Sequence, residues 1–199
     1  MAIAAYYARI QYGYRRIAIV DIDAHFGNGT AEIFDGDPNT FYSSIHLQYE
    51  GPKDFFYPST TCCVMGADTV GSNNAYVNIY PTKGPGFNIN CNEAKLRGRE
   101  GFRKGFADTI VPALINFEPD IIFVSAGFDG ASSDPVGGQL GLKPADFHWS
   151  ASMLRKVADD ICGGRLISVL EGGYDITKTT NGLPQSAEAH VKGIAGFDS

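Results

Sequence analysis

Five short stretches of the chain are apolar and rich in β-branched or aromatic residues: Ile17–Asp23, Phe41–Leu47, Ala75–Tyr80, Ile121–Ala126 and Leu166–Leu170. The first, Ile-Ala-Ile-Val-Asp-Ile-Asp, lacks the alternation of a half-exposed strand and reads as a strand covered on both faces; the other four read the same way. Between and before them lie Ala2–Tyr12, Glu93–Phe117, Pro144–Ile161 and Pro184–Ile194, which carry helical spacing. Gly13 supplies a stop for the first helix, and Pro144 suits the first turn of the third, where a missing N–H costs little. Strands alternating with helices predict a mainly parallel sheet with helices on both faces, a three-layer α/β/α arrangement. No repeat or low-complexity linker interrupts the pattern, so residues 1–199 are expected to form one domain.

Composition narrows the function classes. The 199 residues hold 16 Lys and Arg against 22 Asp and Glu, a formal charge of −6, which argues against direct nucleic-acid binding over a broad face. A hydrophobic share of 44% with 19% charged residues excludes a disordered chain. No run approaches the ~18–20 apolar residues that span a bilayer, so no membrane association is expected. Met1 leads straight into Ala-Ile-Ala-Ala-Tyr-Tyr, which does not read as a secretory leader. Cys62, Cys63, Cys91 and Cys162 form no C-x-x-C pair and read as reduced thiols. The expected location is the nucleus, the cytoplasm or both; Tyr14-Arg-Arg16 is too short to be an import signal.

Candidate chemistry gathers where strands end, which is where ligands bind in an open parallel sheet. The first strand runs into Asp21-Ile-Asp-Ala-His25, the fourth into Ser125-Ala-Gly-Phe-Asp129, and the fifth into Leu170-Glu-Gly-Gly-Tyr174. Strand alternation puts Asp21, Asp23 and His25 on one side. Asp23, His25 and Asp129 offer two carboxylates and an imidazole, a donor set suited to a divalent ion with a position left for water and substrate. Each piece also has a plain structural reading. Asp-x-Asp-x-His suits a solvated strand end or a helix cap, Gly-Phe-Asp-Gly a turn, and Tyr174 a packed loop aromatic.

In combination these segments resemble the zinc-dependent histone deacetylase family, in a form close to its class II and bacterial-like members. Asp21–Phe34, Ile121–Leu140 and Leu170–Asp175 are similar to its Asp-x-Asp-x-His-x-Gly-Asn-Gly-Thr, Ser-Ala-Gly-Phe-Asp and Leu-Glu-Gly-Gly-Tyr motifs. Ser43-Ser-Ile-His46, Phe56-Tyr-Pro-Ser-Thr60 and Val77-Asn-Ile79 match further landmarks in the same order.

The resemblance implies the arginase/deacetylase fold and hydrolysis of acetyl-lysine amides, in histone tails or other acetylated proteins. It implies Asp23, His25 and Asp129 as ligands of a catalytic Zn²⁺, and Tyr174 as donor to the oxyanion formed on the substrate carbonyl. A structural K⁺ would be held by Asp21, the carbonyls of Asp23 and His25, the Ser44 hydroxyl and the Ile45 carbonyl. Tyr57, Val136, Gly172 and Gly173 fall along the acyl-lysine tunnel, where an aromatic slot grips a methylene stem; for Tyr57 ordinary packing beside Pro58 stays open. Corepressor-type protein partners also fit the resemblance.

The same resemblance marks departures. The family's His-His general base belongs to a segment preceding the one that matches Ala2–Tyr12, so the chain corresponds to the C-terminal portion of the catalytic domain, lacking its N-terminal part. His46, His148 and His190 match no base position and are expected to serve in packing. Phe26 stands where a second histidine is usual, and Ser59-Thr-Thr61 where Gly-Thr-Gly is usual. Two other readings stay open: a non-catalytic remnant binding metal or a partner, and an acetylpolyamine hydrolase. Val136 after Asp134-Pro135 brings no charge to pair with a second ammonium and favours acetyl-lysine over a polyamine.

Overall fold

The structure is a computed structural model, and it describes residues 1–48, 74–80 and 98–198. Helix α1 (Ala2–Tyr12) leads through Gly13, in the left-handed conformation at φ 70°, to strand β1 (Ile17–Asp21). A short helix α2 (Asn28–Ile33) then precedes β2 (Thr40–Gln48), and β3 (Asn74–Tyr80) follows. Next come α3 (Gly98–Gly105), a π-helical turn (Phe106–Ile110), α4 (Val111–Phe117) and β4 (Ile121–Ala126). A 3₁₀ turn at Gly138–Leu140, α5 (Pro144–Cys162), β5 (Leu166–Leu170) and α6 (Gly182–Ala195) complete the order.

The strands form one five-stranded sheet in the order β3-β2-β1-β4-β5. β1 lies parallel between β2 and β4, with Asp21 level with Ser44 on one side and Ser125 on the other. β4 and β5 are also parallel, so β1, β4 and β5 all finish at the same end of the sheet. The expected parallel arrangement holds for four strands, whereas β3 runs antiparallel to β2. Such a strand suits the sheet's border, because it needs no crossover helix to reach its neighbour.

Helices cover both faces. Ile17, Ile19, Tyr42, Ile121 and Phe123 pack on one side against Ala5 and Ala8 of α1 and against Phe34. Ala18, Val20, Ile22, Phe41, Ile122 and Val124 face the other side, against Phe102, Phe106, Ile110 and Leu114 and the α5 residues Phe147, Leu154 and Ala158. Even and odd positions of β1 thus enter two separate cores, which is why its sequence shows no polar alternation. Each buried aliphatic or aromatic side chain of this kind contributes about 1.5–3 kcal/mol.

The helical spacing over Glu93–Phe117 predicts one helix, of which residues 98–117 are described, and these are not a single regular one. The cause is Pro112 in the first turn of α4, which has no N–H and whose ring crowds the preceding turn. The π-helical turn before it widens the backbone and relieves that crowding. The third predicted helix matches α5, with Pro144 in its first turn. Among the described residues, no helix is long and apolar enough to cross a membrane.

Candidate metal centre and its tyrosine

Three loops leave the sheet at the shared end of β1, β4 and β5, and they carry the chemistry. β1 stops at Asp21, so the following residues bend rather than continue the strand. Strand alternation therefore does not place Asp23 and His25; local hydrogen bonds do. The Asp23 amide donates to Asp21 Oδ1 at 3.1 Å, and the His25 amide donates to Asp23 Oδ1 at 2.8 Å. From the β4 end, Asp129 reaches across and accepts the Ala24 amide on Oδ1 at 2.8 Å.

These bends bring together one donor atom each from Asp23, His25 and Asp129, all within 4.8 Å of one another. His25 Nδ1 lies 3.0 Å from Asp23 Oδ1 and 2.7 Å from Asp129 Oδ2. Asp129 Oδ2 is fully buried and receives no amide or hydroxyl, so its polar neighbour is that imidazole nitrogen. The contacts with Asp129 and then Asp23 push the His25 imidazole up to about 10. Burial, followed by the charge of Asp23, raises Asp129. Burial also acts to raise Asp23, but hydrogen bonds from His25 and from the Gly172 amide outweigh it and leave this carboxyl below its usual range.

The pocket thus favours positive charge between two carboxylates, and a divalent cation answers that demand with directional bonds. Backbone comes close enough to shape it only because glycines stand there. A Cβ on Gly172 would meet Asp23 Oδ2 at 2.5 Å and the Asp129 carboxylate at 2.9 Å, and one on Gly127 would collide with the Asp23 carboxylate. The Gly172 amide instead donates to Asp23 Oδ2 at 2.9 Å. The donor set, the buried Asp129 oxygen that no amide or hydroxyl reaches, and this glycine cradle all fit a Zn²⁺ ion.

Tyr174 follows Gly173, whose φ of 138° is open to glycine but rarely to other residues. Its side chain is 52% exposed, and burial followed by the charges of Asp129 and Asp23 raises its phenol above the ordinary value. A phenol held protonated is a hydrogen-bond donor. Val136 is an exposed apolar residue, on a loop whose Gly137 packs against Ala24 and the Asp129 backbone. Tyr57 lies outside the described residues.

The residues expected to hold K⁺ sit one layer below. Asp21 and Ser44 are neighbours across the β1–β2 register, and Ile45 follows Ser44 into the core. Asp21 is buried, accepts the Tyr42 hydroxyl at 2.9 Å, and is pushed up to about 8, chiefly by desolvation. The Ser44 hydroxyl lies 2.8 Å from His46 Nδ1. The buried Asp21 carboxylate and Ser44, its register neighbour, are oxygen donors of the kind a hard monovalent cation takes.

His46 and His190 are buried, and His148 is partly exposed. His46 is buried beneath Phe26, with ring centres 5.1 Å apart, and burial lowers it to about 3. His148 Nε2 is 2.8 Å from the Phe197 carbonyl, and His190 Nε2 is 2.8 Å from the Ser168 hydroxyl. Sequence reasoning gave no role to Asp134, which accepts amides from both the Val136 loop and Tyr174.

The chain is similar to known proteins over nearly its whole length. Residues 1–194 match the histone deacetylase domain. The chain is 41% identical over 194 residues to "Type-2 histone deacetylase 2" of Dictyostelium discoideum, covering 98% of this chain and 11% of that protein. It is 35% identical to "Polyamine deacetylase HDAC10" of Mus musculus, covering 98% of this chain and 26% of that one. The solved structure described as "Crystal Structure of HDA15 HD domain" superposes with a TM-score of 0.70 at 33% identity, over 98% of this chain and 48% of that chain. The chain therefore spans about half that solved chain and less of the two other relatives. A carboxylate–imidazole cluster at the shared strand ends, a tyrosine behind two glycines and a match over nearly every residue lead to one conclusion: this chain belongs to the histone deacetylase family.

Proposed function

We propose that this chain supplies the metal-binding and tyrosine-bearing part of a deacetylase that hydrolyses acetyl-lysine amides in proteins, histone tails among them. The observation that carries the reading is the convergence of Asp23, His25 and Asp129 beside the Gly172–Tyr174 turn. Zn²⁺ bound by these three residues supplies Lewis acidity toward the amide carbonyl and lowers the pKa of a bound water toward ~7.

The remaining work falls to the protein. Tyr174 donates its hydroxyl to the carbonyl oxygen as negative charge develops there, and loss of such a donor typically costs ~100–1000-fold in rate. Asp129 and Asp23 help keep that hydroxyl protonated. Val136 presents an uncharged rim to the incoming side chain and offers no partner for a second ammonium. In this reading the water's proton goes to the histidine pair that the family resemblance places before the segment matching Ala2–Tyr12. K⁺ held by Asp21, Ser44, Ile45 and the carbonyls of Asp23 and His25 would stabilise the layer beneath.

The relationship to a protein named as a polyamine deacetylase favours a second substrate class, acetylated polyamines, which the uncharged Val136 argues against. The test reconstitutes the chain with Zn²⁺ and K⁺, counts bound zinc, and follows acetate release from an acetyl-lysine peptide and from acetylspermidine. Turnover of the peptide that disappears in Tyr174→Phe supports the metal and tyrosine roles and shows that the upstream histidine pair is not indispensable. Preference for acetylspermidine replaces it with the polyamine reading. Zinc near one per chain with no turnover on either substrate assigns this chain a metal-binding role without catalysis of its own.

A further inference from the structure

We propose that Asp134 is the positioning residue that locks Tyr174 and the Val136 rim into one unit. The inference rests on the deacetylase reading above and extends it to a residue that touches neither the metal ligands' donor atoms nor the substrate.

The chain after β4 turns twice on itself, the Ala131 amide donating to the Phe128 carbonyl and the Asp134 amide to the Ala131 carbonyl. That path delivers the Asp134 side chain, 7% exposed, between two loops distant in sequence. Its Oδ1 accepts the Val136 amide at 2.8 Å and the Gly137 amide at 3.2 Å. Its Oδ2 accepts the Tyr174 amide at 2.7 Å. One carboxylate therefore takes three backbone N–H groups, two from the rim and one from the tyrosine. Bonds to an ionised acceptor are roughly twice as strong as neutral ones.

Tyr174 needs such an anchor. The glycines before it leave the backbone free to swing, and a half-exposed ring is not pinned by packing. A donor accelerates a reaction only when it already points where charge will develop, and a misplacement of about 1 Å can cost ~100-fold. Asp134 fixes the tyrosine's backbone against the loop that borders the same opening, so rim and donor hold a constant spacing. The charge of Asp134 also joins those of Asp129 and Asp23 in keeping the phenol protonated. Asparagine is nearly isosteric but has one acceptor oxygen, so it cannot serve both loops.

The experiment compares wild type, Asp134→Asn, Tyr174→Phe and the double variant, each loaded with zinc. Three readouts are taken: peptide deacetylation, bound zinc, and amide hydrogen exchange. We expect kcat to fall ~10–100-fold in Asp134→Asn with KM changing less than about threefold. Exchange at the Tyr174, Val136 and Gly137 amides should speed by ~10-fold or more, while β4 exchange and zinc content stay as in wild type. The double variant should be no slower than Tyr174→Phe, because a misplaced phenylalanine loses nothing further. Multiplicative losses, or unchanged exchange at Tyr174, would overturn the proposal. Should wild type release no acetate, this chain has no catalysis of its own, and the exchange comparison alone decides whether Asp134 holds the two loops. Should Asp134→Asn fail to fold, exchange in wild type decides: slowed exchange at the Tyr174 amide supports the anchor, and exchange at the free-peptide rate refutes it.

Discussion

Gly172 is the position at which one methyl group does most harm. Its Cβ would sit 2.5 Å from Asp23 Oδ2 and 2.9 Å from the Asp129 carboxylate, both stiffly held, so the clash has no flexible side chain to absorb it. Gly172→Ala should weaken zinc binding by ~10-fold or more, with little change in helical content. Competition titration against a chromophoric chelator, alongside circular dichroism, checks this; wild-type affinity in a folded variant would show that the loop yields instead. The candidate metal cluster was legible in the sequence, because Asp23, His25 and Asp129 follow apolar strands whose shared direction brings their ends together. Their local geometry was not. Alternation over Asp21–His25 assumed a strand that in fact stops at Asp21, and Asx-type hydrogen bonds set the bend instead. Asp134 was illegible for a related reason: its partners are backbone amides, which carry no signature in the side-chain alphabet.

At the scale of elements, α3 is tied to α5 through one buried carboxylate. Asp146 reaches back to cap α5 at the Lys143 amide, at 2.9 Å, and also accepts Arg99 Nε and Arg103 Nε, each at 2.5 Å. Burial alone would raise this carboxyl, but these donors outweigh it and hold it below its usual range. Asp146→Ala removes the cap and orphans two guanidinium groups that water can partly reach, so a loss of about 2 kcal/mol is expected. For a chain of this length that lowers Tm by roughly 4–8 °C, measurable by differential scanning fluorimetry. Nothing in the sequence paired Asp146 with Arg99 and Arg103 across more than forty residues, although Pro144 did announce the helix start. His190 provides a second element-scale prediction. It lies buried on α6 against Ser168 of β5, and burial lowers it to about 4. The unfolded chain takes up this proton near 6.5 and the folded one near 4, so between these values the unfolded state binds more protons. Stability contributed by neutral His190 is present above about pH 6.5 and is lost as pH falls toward 4, by at most about 1.4 kcal/mol per pH unit. Urea melts of wild type and His190→Asn across this window should show a shallower slope in the variant. Parallel slopes would mean that His190 does not contribute to the acid limb.

At the scale of the whole molecule, the sheet's two sides and two borders are unequal. β1 and β4 are buried along their entire length, yet β5, equally apolar in sequence, exposes Ile167, Val169 and Leu170, the last at 59%. Among the described residues β5 has a single neighbour, β4, so one row of its backbone N–H and C=O groups faces outward. Across the molecule α1 presents Ile3, Tyr7 and Ile10 as an apolar stripe at helical spacing, with Ile10 74% exposed. The sequence reading of β5 as a strand covered on both faces was right about its composition and wrong about its cover, because hydrophobicity does not specify which neighbours a strand has. An apolar border strand with an unpaired backbone row templates pairing with other strands. This chain, studied by itself, should therefore associate in a concentration-dependent way through β5. A lysine there removes apolar area and places a charge that strand pairing would have to desolvate, so Val169→Lys should raise the monomer fraction without lowering Tm by more than a few degrees. Sedimentation velocity from about 5 to 100 μM distinguishes the outcomes. A wild-type protein that stays monomeric throughout would show that the β5 edge is already protected, and association that survives Val169→Lys would direct attention to the α1 stripe.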